Sequence, residues 1–264
     1  MSKTGNTVRF ENQYSLPYAI EEALSRLRVN ISFLGSDVQV IMVESADPNE
    51  GKSFIAWNLW QQMAEVGERT LLIDADMRNS VLREKYGVVK TSGEEIRGTS
   101  HFLSKNIVKA GVVLKTDNSN ADLIVNTENI DNPSMLLESA KFKSLIEEAR
   151  EEYRYIFIDA PPLSLVSDGE KIGSLCDGAI MSVRSGVTQR RALRESAAQL
   201  SRAGCPILGV VLNRVSTSKN GYYSKYYRKE YGYYGYGRNE KPKAQKLKEL
   251  LGDYLRKATA KQDD

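Results

Sequence analysis

The sequence predicts an α/β fold, a doubly wound and mostly parallel sheet with helices on both faces. Short apolar runs alternate along the chain with segments of helical periodicity, which is the pattern of a parallel sheet covered on both sides. The apolar run 38–43 is followed by a glycine-containing loop and then by a helical segment, the order of elements found around phosphate-binding loops. These two observations indicate one nucleotide-binding domain over residues 16–215.

The first half of the chain predicts a leader followed by helices and strands. Residues 1–15 are expected to be a polar leader. Pro17 should open an amphipathic helix, because proline is favoured at helix starts and apolar residues recur on one face of the segment after it. The stretch 86–106 is turn-rich and gives no clear assignment. The other elements expected here are a strand near 38–44, a helix from Ser53 to Val66 and a strand near 70–74.

The second half predicts further alternation of strands and helices. The segments 111–115 and 121–125 are weaker strand candidates. Asn132-Pro133 has the cap-then-proline form of a helix start, and this helix should run to about Tyr153. The later elements expected are strands at 155–159 and 178–183, a helix from about Thr188 to Ala203 and a last strand at 207–212.

The loop Ala46-Asp47-Pro48-Asn49-Glu50-Gly51-Lys52-Ser53 fits the pattern G-x-x-x-x-G-K-[ST], with alanine in place of the first glycine. In such a loop successive backbone N–H groups cradle a polyphosphate at the positive end of the helix dipole. Lys52 is expected to reach the β- and γ-phosphates, and the Ser53 hydroxyl to bind Mg²⁺. A chance match in an ordinary turn is disfavoured by the flanking strand and helix. The expected nucleotide-binding residues here are Asn49, Glu50, Gly51, Lys52, Ser53 and Phe54.

Two later apolar runs end in carboxylates. Asp74 and Asp76 follow the run 71–73, and Asp159 follows the run 155–158. Because the carboxyl ends of parallel strands line one crevice, these side chains should converge near the Ser53 hydroxyl. Mg²⁺ bound to a nucleotide needs such oxygen ligands, mostly through retained waters. Taken singly, strand-end aspartates are as readily helix caps or turn formers.

Composition limits the classes of function. With 264 residues, 41% hydrophobic and 27% charged, the chain is long enough for one α/β domain with a full core. The net charge of +3 is too small to indicate a nucleic-acid partner. Cys176 and Cys205 lack metal or redox spacing, and the single histidine, His101, argues against zinc chemistry. No signal peptide or membrane-length apolar run is present in the sequence.

A tyrosine cluster lies near the C-terminus, within a segment 216–240 that is expected to be flexible. It holds eight of the fourteen tyrosines, with glycines and charged residues between them and no aliphatic residue. Neither helical nor strand periodicity can bury such a segment, so it should be exposed. Residues 241–264 form a charged extension. The cluster consists of Tyr222, Tyr223, Tyr226, Tyr227, Tyr231, Tyr233, Tyr234 and Tyr236.

These motifs, in this order, resemble those of the bacterial tyrosine autokinases (BY-kinases), CapB-like cytoplasmic kinases of capsule and exopolysaccharide biosynthesis. The resemblance implies a P-loop NTPase fold of the MinD/ParA type. The wider MinD/ParA group carries a second lysine early in its loop, where this chain has Ala46 and Asp47, and that absence favours the kinase branch. The matching segments are Glu22–Ile31, Gly51-Lys52-Ser53, Asp74–Arg78, Ile158–Pro162 with the loop through Ser167-Asp168, and Leu212-Asn213-Arg214.

The resemblance also implies an activity and its residues. ATP and Mg²⁺ would be the cofactors, and the tyrosine cluster would be phosphorylated in trans. Asp74 would accept the tyrosine proton, while Asp76 and Asp159 would hold metal-bound waters. Arg78 would either contact phosphate or pair with a carboxylate. Lys52 completes the catalytic set, and Asn213 and Arg214 would contact the nucleotide.

Partners are implied by the same resemblance. A transmembrane polysaccharide co-polymerase (Wzz/CapA-like) would activate the kinase and recruit it from the cytoplasm to the inner face of the membrane, and a cognate tyrosine phosphatase would oppose it. The chain would also assemble with itself as a ring or other homo-oligomer through Glu22, Arg26 and Arg28. Ser25 replaces an arginine of the family's assembly motif, so a weaker ring is expected.

Three alternatives remain open at this point. A MinD/ParA-type ATPase switch would hydrolyse ATP to dimerise, which would make the tyrosines incidental. A nucleic-acid-binding protein would use the Tyr/Lys/Arg segment for base stacking and phosphate contacts. A catalytically weak scaffold of the polysaccharide machinery would keep the nucleotide for structure alone.

Overall fold

The computed structural model describes residues 5–105, 107–164 and 167–215. The strands are β1 (Val8–Phe10), β2 (Val40–Ser45), β3 (Thr70–Asp74), β4 (Val88–Lys90), β5 (Leu114–Lys115), β6 (Ala121–Ile124), β7 (Tyr155–Asp159), β8 (Gly178–Arg184) and β9 (Ile207–Asn213). The helices are α1 (Tyr18–Ser32), α2 (Lys52–Glu65), α3 (Leu82–Tyr86), α4 (Thr99–Ser104), α5 (Ser134–Leu137), α6 (Ala140–Glu152), α7 (Asp168–Gly173) and α8 (Arg190–Arg202).

A seven-stranded sheet organises the described residues, in the order β5-β6-β3-β7-β2-β8-β9. All its neighbouring strands are parallel except β5 and β6. Strand β7 lies between β3 and β2, and the three strands run parallel. Their carboxyl ends therefore lie side by side at one end of the sheet, where ligands bind in folds of this kind. The predicted doubly wound, mostly parallel sheet is confirmed.

Two apolar cores lie on the two faces of this sheet. Successive residues of β2 point to opposite faces, so Val40 and Met42 join one core while Ile41 and Val43 join the other. The first core contains α6 residues, and the second is built on α2. Burial on both faces explains why these strands read as continuous apolar runs. None of the helices in the described parts of the chain is both long and apolar enough to span a lipid bilayer.

The N-terminal segment differs from the polar leader expected over 1–15. Strand β1 pairs antiparallel with β4, and Val8 is buried. The Phe10 ring meets the ring of Trp57 edge-on, 4.9 Å between centroids. The second half of this ribbon, β4, lies in the stretch 86–106 that sequence patterns left unassigned. A three-residue strand is too short for its periodicity to be recognised, and its stability comes from the long-range partner.

The helix expected from Asn132 to Tyr153 is two helices, α5 and α6. Ser139 separates them, because its hydroxyl accepts a hydrogen bond from the Phe142 N–H and so caps a new helix start. The other predicted elements are found within a few residues of their expected bounds. Helix α7, which follows the third strand-end aspartate, has no counterpart among the predicted elements.

Candidate nucleotide-binding and phosphotransfer site

The loop between β2 and α2 takes a conformation that requires its glycine. Gly51 has φ +99°, and a Cβ placed there would lie 2.0 Å from the side-chain nitrogen of Asn213. That nitrogen donates a hydrogen bond to the Glu50 carbonyl over 2.9 Å. Asn49 also has a positive φ, 62°, which asparagine tolerates better than most residues. The loop therefore curves tightly against the end of β9 before α2 begins at Lys52.

Glu50 holds this loop in place. Its carboxylate accepts hydrogen bonds from the Asp47 N–H and from the Thr188 hydroxyl. The Ser182 hydroxyl donates to its carbonyl over 2.7 Å. Only 2% of Glu50 is exposed, so its side chain is a brace for the loop and not a group that faces a ligand. Only its backbone N–H is left for the nucleotide contact expected from the sequence.

Lys52 lies among carboxylates. Its ammonium is 3.0 Å from Asp76 Oδ2, and both side chains are largely buried. Burial lowers the pKa of Lys52, but the negative charges of Asp159 and Asp76 outweigh this, so its pKa lies above the ordinary value. The lysine is therefore held cationic at the place where phosphate charge would be neutralised. Ser53, the next residue, hydrogen-bonds to Asp159.

Asp74 and Asp159 are directly opposed on neighbouring strands β3 and β7. Burial raises the pKa of Asp74 to about 8, and the charge of Asp159 adds to this. Burial also raises the pKa of Asp159 to about 6, against the opposing effects of Lys52 and Ser53. Asp74 Oδ2 accepts hydrogen bonds from the Ser80 hydroxyl and the Asn126 N–H.

One oxygen on each of these two aspartates, Oδ1 of Asp74 and Oδ1 of Asp159, is buried and has no hydrogen-bond partner among the described residues. Buried carboxylate oxygens normally have partners, because leaving them bare is costly. Their state fits a site that a ligand completes. Within the described ranges no group of three His, Cys, Asp or Glu side chains is arranged to hold a metal ion by itself. A metal bound here would thus need ligands such as the Ser53 hydroxyl and water.

Arg78 pairs with a carboxylate, and it also lines the space over the phosphate loop. Its Nε lies 2.7 Å from Asp168 Oδ2, and a terminal nitrogen donates to the Asp131 carbonyl. Asp168 is fully buried and also accepts a hydrogen bond from the Ser134 hydroxyl. Arg78 therefore ties the loop after β3 to the N-terminal ends of α5 and α7.

A cavity of about 350 Å³ opens over the loop. It brings together most of the predicted nucleotide-binding residues, whereas Asp74 and Asp159 lie buried at the strand ends and Asn213 packs against the loop. Lys85 lines it and was not anticipated from the sequence. We call this space the nucleotide cavity; its lining includes Asn49, Gly51, Lys52, Ser53, Phe54, Asp76, Arg78, Lys85 and Arg214.

Glu44 is a further carboxyl group that sequence reasoning missed. It is fully buried at the end of β2, and burial raises its pKa well above the ordinary value. Its signal was present: a single charged residue stands between the apolar run 38–43 and the phosphate loop. Asp168 ends the segment that resembles a Walker B strand and its loop, but its pairing with Arg78, 90 residues away, could not be predicted from the sequence.

The remaining predicted residues lie elsewhere. On α1, Glu22 and Arg26 form an i,i+4 ion pair of 3.5 Å at the surface. Arg28 is partly buried on the same helix. The eight tyrosines of the cluster, from Tyr222 to Tyr236, lie outside the described residues.

The chain is similar to known proteins over most of its length. A profile of the AAA domain family matches residues 38–171. The tyrosine-protein kinase CpsD of Streptococcus agalactiae is 34% identical over 215 residues, covering 81% of this chain and 90% of the relative. The crystal structure of the chimerical protein CapA2B2 superposes with a TM-score of 0.67 at 28% identity, covering 74% of this chain and 84% of that one.

A more distant structure supports the fold alone. The septum site-determining protein MinD of Pyrococcus horikoshii, complexed with Mg-ADP, superposes with a TM-score of 0.59 at 20% identity, covering 69% of this chain and 72% of that one. The predicted MinD/ParA type of fold is thereby confirmed. Together with the phosphate loop and the opposed strand-end aspartates, these matches show that the chain belongs to the bacterial tyrosine kinase (BY-kinase) family.

Proposed function

We propose that this protein uses ATP and Mg²⁺ to phosphorylate tyrosines of its own C-terminal cluster and thereby regulates capsular or exopolysaccharide synthesis and export. One observation carries the proposal: Lys52 is held cationic at the phosphate loop by its ion pair with Asp76 and by the charge of Asp159, whose buried Oδ1 lacks a hydrogen-bond partner among the described residues. Phosphoryl transfer requires positioning and charge neutralisation more than covalent help from the protein. This arrangement supplies both.

The residues present fit Mg²⁺ and a polyphosphate. The loop backbone from Asn49 to Ser53 would bind the phosphates at the N-terminal end of α2, and Gly51 allows the tight curve of this loop against Asn213. The Ser53 hydroxyl would bind the metal ion directly, while Asp76 and Asp159 would hold its waters. Bound Mg²⁺ would neutralise charge on the transferring phosphoryl group. Arg214 and Asn213 would meet the nucleoside end, since Arg214 lines the nucleotide cavity.

Asp74 would act as the proton acceptor for the attacking tyrosine. The tyrosine oxygen bonds to the γ-phosphorus, the bond from that phosphorus to the bridging oxygen breaks, and ADP leaves with the bridging oxygen. The phenolic proton passes to Asp74. Burial and the charge of Asp159 raise the pKa of this carboxyl group to about 8, so its conjugate base is more basic than an ordinary carboxylate.

We also propose that this kinase acts with three kinds of partner. A transmembrane co-polymerase would recruit the protein to the inner face of the cell membrane and activate it, and a tyrosine phosphatase would reverse the modification. A homo-oligomer would bring the tyrosine cluster of one copy to the site of another, with Glu22, Arg26 and Arg28 of α1 at the contact. Each added phosphate carries about −1.5 to −2 charge and would loosen that assembly.

The test is detection of phosphotyrosine on purified protein incubated with Mg·ATP. Lys52→Met keeps the side-chain length but removes the charge that meets the phosphates, so phosphorylation should fall by at least about 100-fold. The control is Lys143→Met, which removes an exposed surface lysine and should leave the rate unchanged. Normal phosphorylation by a folded Lys52→Met protein would exclude the proposed site.

A MinD/ParA-type ATPase switch is the second candidate, favoured by the structural match to MinD. It would hydrolyse ATP without producing phosphotyrosine. The same incubation separates the two functions if released phosphate and phosphotyrosine are measured together.

A further inference from the structure

A second cavity, of about 530 Å³, lies where β1, α2 and α3 come together. Aromatic side chains form part of its lining, beside polar and charged ones, and we call it the aromatic cavity. The Trp57 and Tyr86 rings stack with 3.8 Å between centroids and an angle of 4°, and Trp60 packs edge-on against Trp57. Phe10 and Phe54 complete these walls. A volume of this size is within the range of small-molecule sites.

Two hydrogen-bonding atoms in these walls lack a partner among the described residues. They are Nε1 of Trp60, a residue with 0% exposure, and the hydroxyl oxygen of Tyr86, a residue with 6% exposure. An indole N–H can only donate a hydrogen bond. Burial raises the pKa of the Tyr86 hydroxyl, so it keeps its proton and can donate as well. Each group could therefore donate a hydrogen bond to an acceptor atom of a bound molecule.

A cation lies at the same cavity. The Lys85 ammonium is 5.1 Å from the centroid of the Tyr86 ring and 5.3 Å from that of Phe54. No carboxylate of the described residues is within ion-pair distance of it. Glu65 and Asp117 also line the cavity and would repel a second negative group. Among the described residues Lys85 is the one cation of this lining, so an anionic group would have to lie beside it and away from the two carboxylates.

We propose that the aromatic cavity binds a planar aromatic molecule with a single anionic group. Its ring would pack against the aromatic walls, its acceptor atoms would take hydrogen bonds from Trp60 and Tyr86, and its anionic group would meet Lys85. Flat aromatic walls favour a planar ligand because stacked and edge-on ring contacts add to the area that is buried.

This site adjoins the nucleotide cavity. Phe54, directly after the phosphate-loop Ser53, lines both spaces, and so does Lys85. A ligand that fixes these two side chains also changes the lining of the nucleotide cavity and so the affinity for the nucleotide. Bound nucleotide must then change the affinity for this ligand by the same factor. The molecule would therefore be an effector of nucleotide binding. This last step rests on the proposed function, whereas binding of the aromatic anion does not.

The probe is 2-naphthoate, and the neutral 2-naphthamide is its matched control. Trp57 and Trp60 are the two tryptophans of the chain, so intrinsic tryptophan fluorescence reports on the cavity directly. Saturable quenching by naphthoate, at least about tenfold tighter than by naphthamide, is expected from the added charge. Absence of saturable quenching, or equal binding of the two compounds, overturns the proposal.

Two variants locate the site. Tyr86→Phe removes a hydroxyl that has no partner, so the fold should not suffer, yet naphthoate should bind about three- to tenfold more weakly. Lys85→Met should weaken naphthoate about tenfold and leave naphthamide unaffected. Tyr153→Phe is the control, because its hydroxyl donates to Asp122 outside the cavity. Wild-type affinity in both Tyr86→Phe and Lys85→Met contradicts the site.

Coupling is measured as the ADP affinity of the wild type, by calorimetry with Mg²⁺, at saturating naphthoate and without it. A change of at least threefold is expected, and an unchanged affinity excludes the effector role. If naphthoate binds but ADP does not bind at all, the proposed function fails while the aromatic-anion site stands.

Discussion

Asp74 and Asp159 show how burial and neighbouring charges set the pKa of single residues in this site. Strand register places them side by side, and burial disfavours the charge on both. Lys52 offsets part of that cost, since its charge lowers the pKa of Asp159. Buried carboxyl groups that lie beside another carboxylate bind their protons tightly, and a pKa raised in this way often marks a functional site.

Replacing Asp74 with asparagine should separate catalysis from stability. The amide oxygen can still accept from Ser80 and Asn126, so the fold should persist, while loss of the proton acceptor should slow phosphorylation by about 10²- to 10⁴-fold. Anti-phosphotyrosine detection measures this. A variant with the wild-type rate would show that another group takes the proton.

The same substitution should change the pH dependence of stability. Because the pKa of Asp74 is raised from 3.8 to about 8 by folding, the native state binds its proton more tightly than the unfolded chain. Stability from this group is therefore present below about pH 4 and is lost as pH rises toward 8. In thermal unfolding with a chelator present, the wild type should lose more stability between pH 6 and 8 than Asp74→Asn. Parallel profiles would contradict the shift.

Strand β1 illustrates what one short element contributes. Its three residues pair with β4, and its buried Val8 belongs to the same core as Trp57 and Trp60 of α2. It therefore covers the helix that carries the phosphate loop. An N-terminal segment with polar composition thus has a structural role through a single buried side chain and a neighbouring aromatic one.

Val8→Ala should lower the free energy of unfolding by roughly 1–2 kcal/mol, because two buried methyl-group equivalents are lost. Arg9→Ala is the control on the same strand: its ion pair with Glu11 is exposed, and the effect should stay within about 0.5 kcal/mol. Urea unfolding followed by tryptophan fluorescence measures both. Equal effects of the two changes would show that β1 is not part of the folded core.

At the scale of the whole molecule, the sheet topology brings the predicted site residues together at the carboxyl ends of the strands. The loops after β2, β3 and β7 meet there, and Arg214, just after β9, lines the same nucleotide cavity. The described chain ends one residue later, at Val215. Eight tyrosines follow, spread over fifteen positions, and we expect such a segment to reach the site of a neighbouring copy.

Phosphorylation should therefore occur in trans. A Lys52→Met chain, which keeps its tyrosines but lacks catalysis, is mixed with an active chain whose eight cluster tyrosines are phenylalanine. Phosphate should appear on the Lys52→Met chain between Tyr222 and Tyr236, as mapped by mass spectrometry. Labelling that needs both features on one chain would exclude transfer between copies, and labelling only at Tyr14, Tyr86 or Tyr153 would exclude the cluster as substrate.

The sequence by itself determined the sheet class, the phosphate loop and most strands and helices. These features are local, since a strand, its loop and its helix are adjacent along the chain and each carries its own periodicity or glycine signal. The carboxylates Asp74 and Asp159 could also be placed, because parallel strands end at one edge.

Tertiary structure alone decided how these parts are held and which neighbours they have. Glu50 braces the loop through Thr188, 138 residues away, and Asn213 covers Gly51 through a bond to the Glu50 carbonyl that spans 163 residues. Arg78 pairs with Asp168, 90 residues further along the chain, and β1 pairs with β4, where Val8 lies opposite Lys90. No local pattern encodes such contacts, because a side chain's partner is set by the packing of distant elements, and the aromatic cavity exists only where three of them meet.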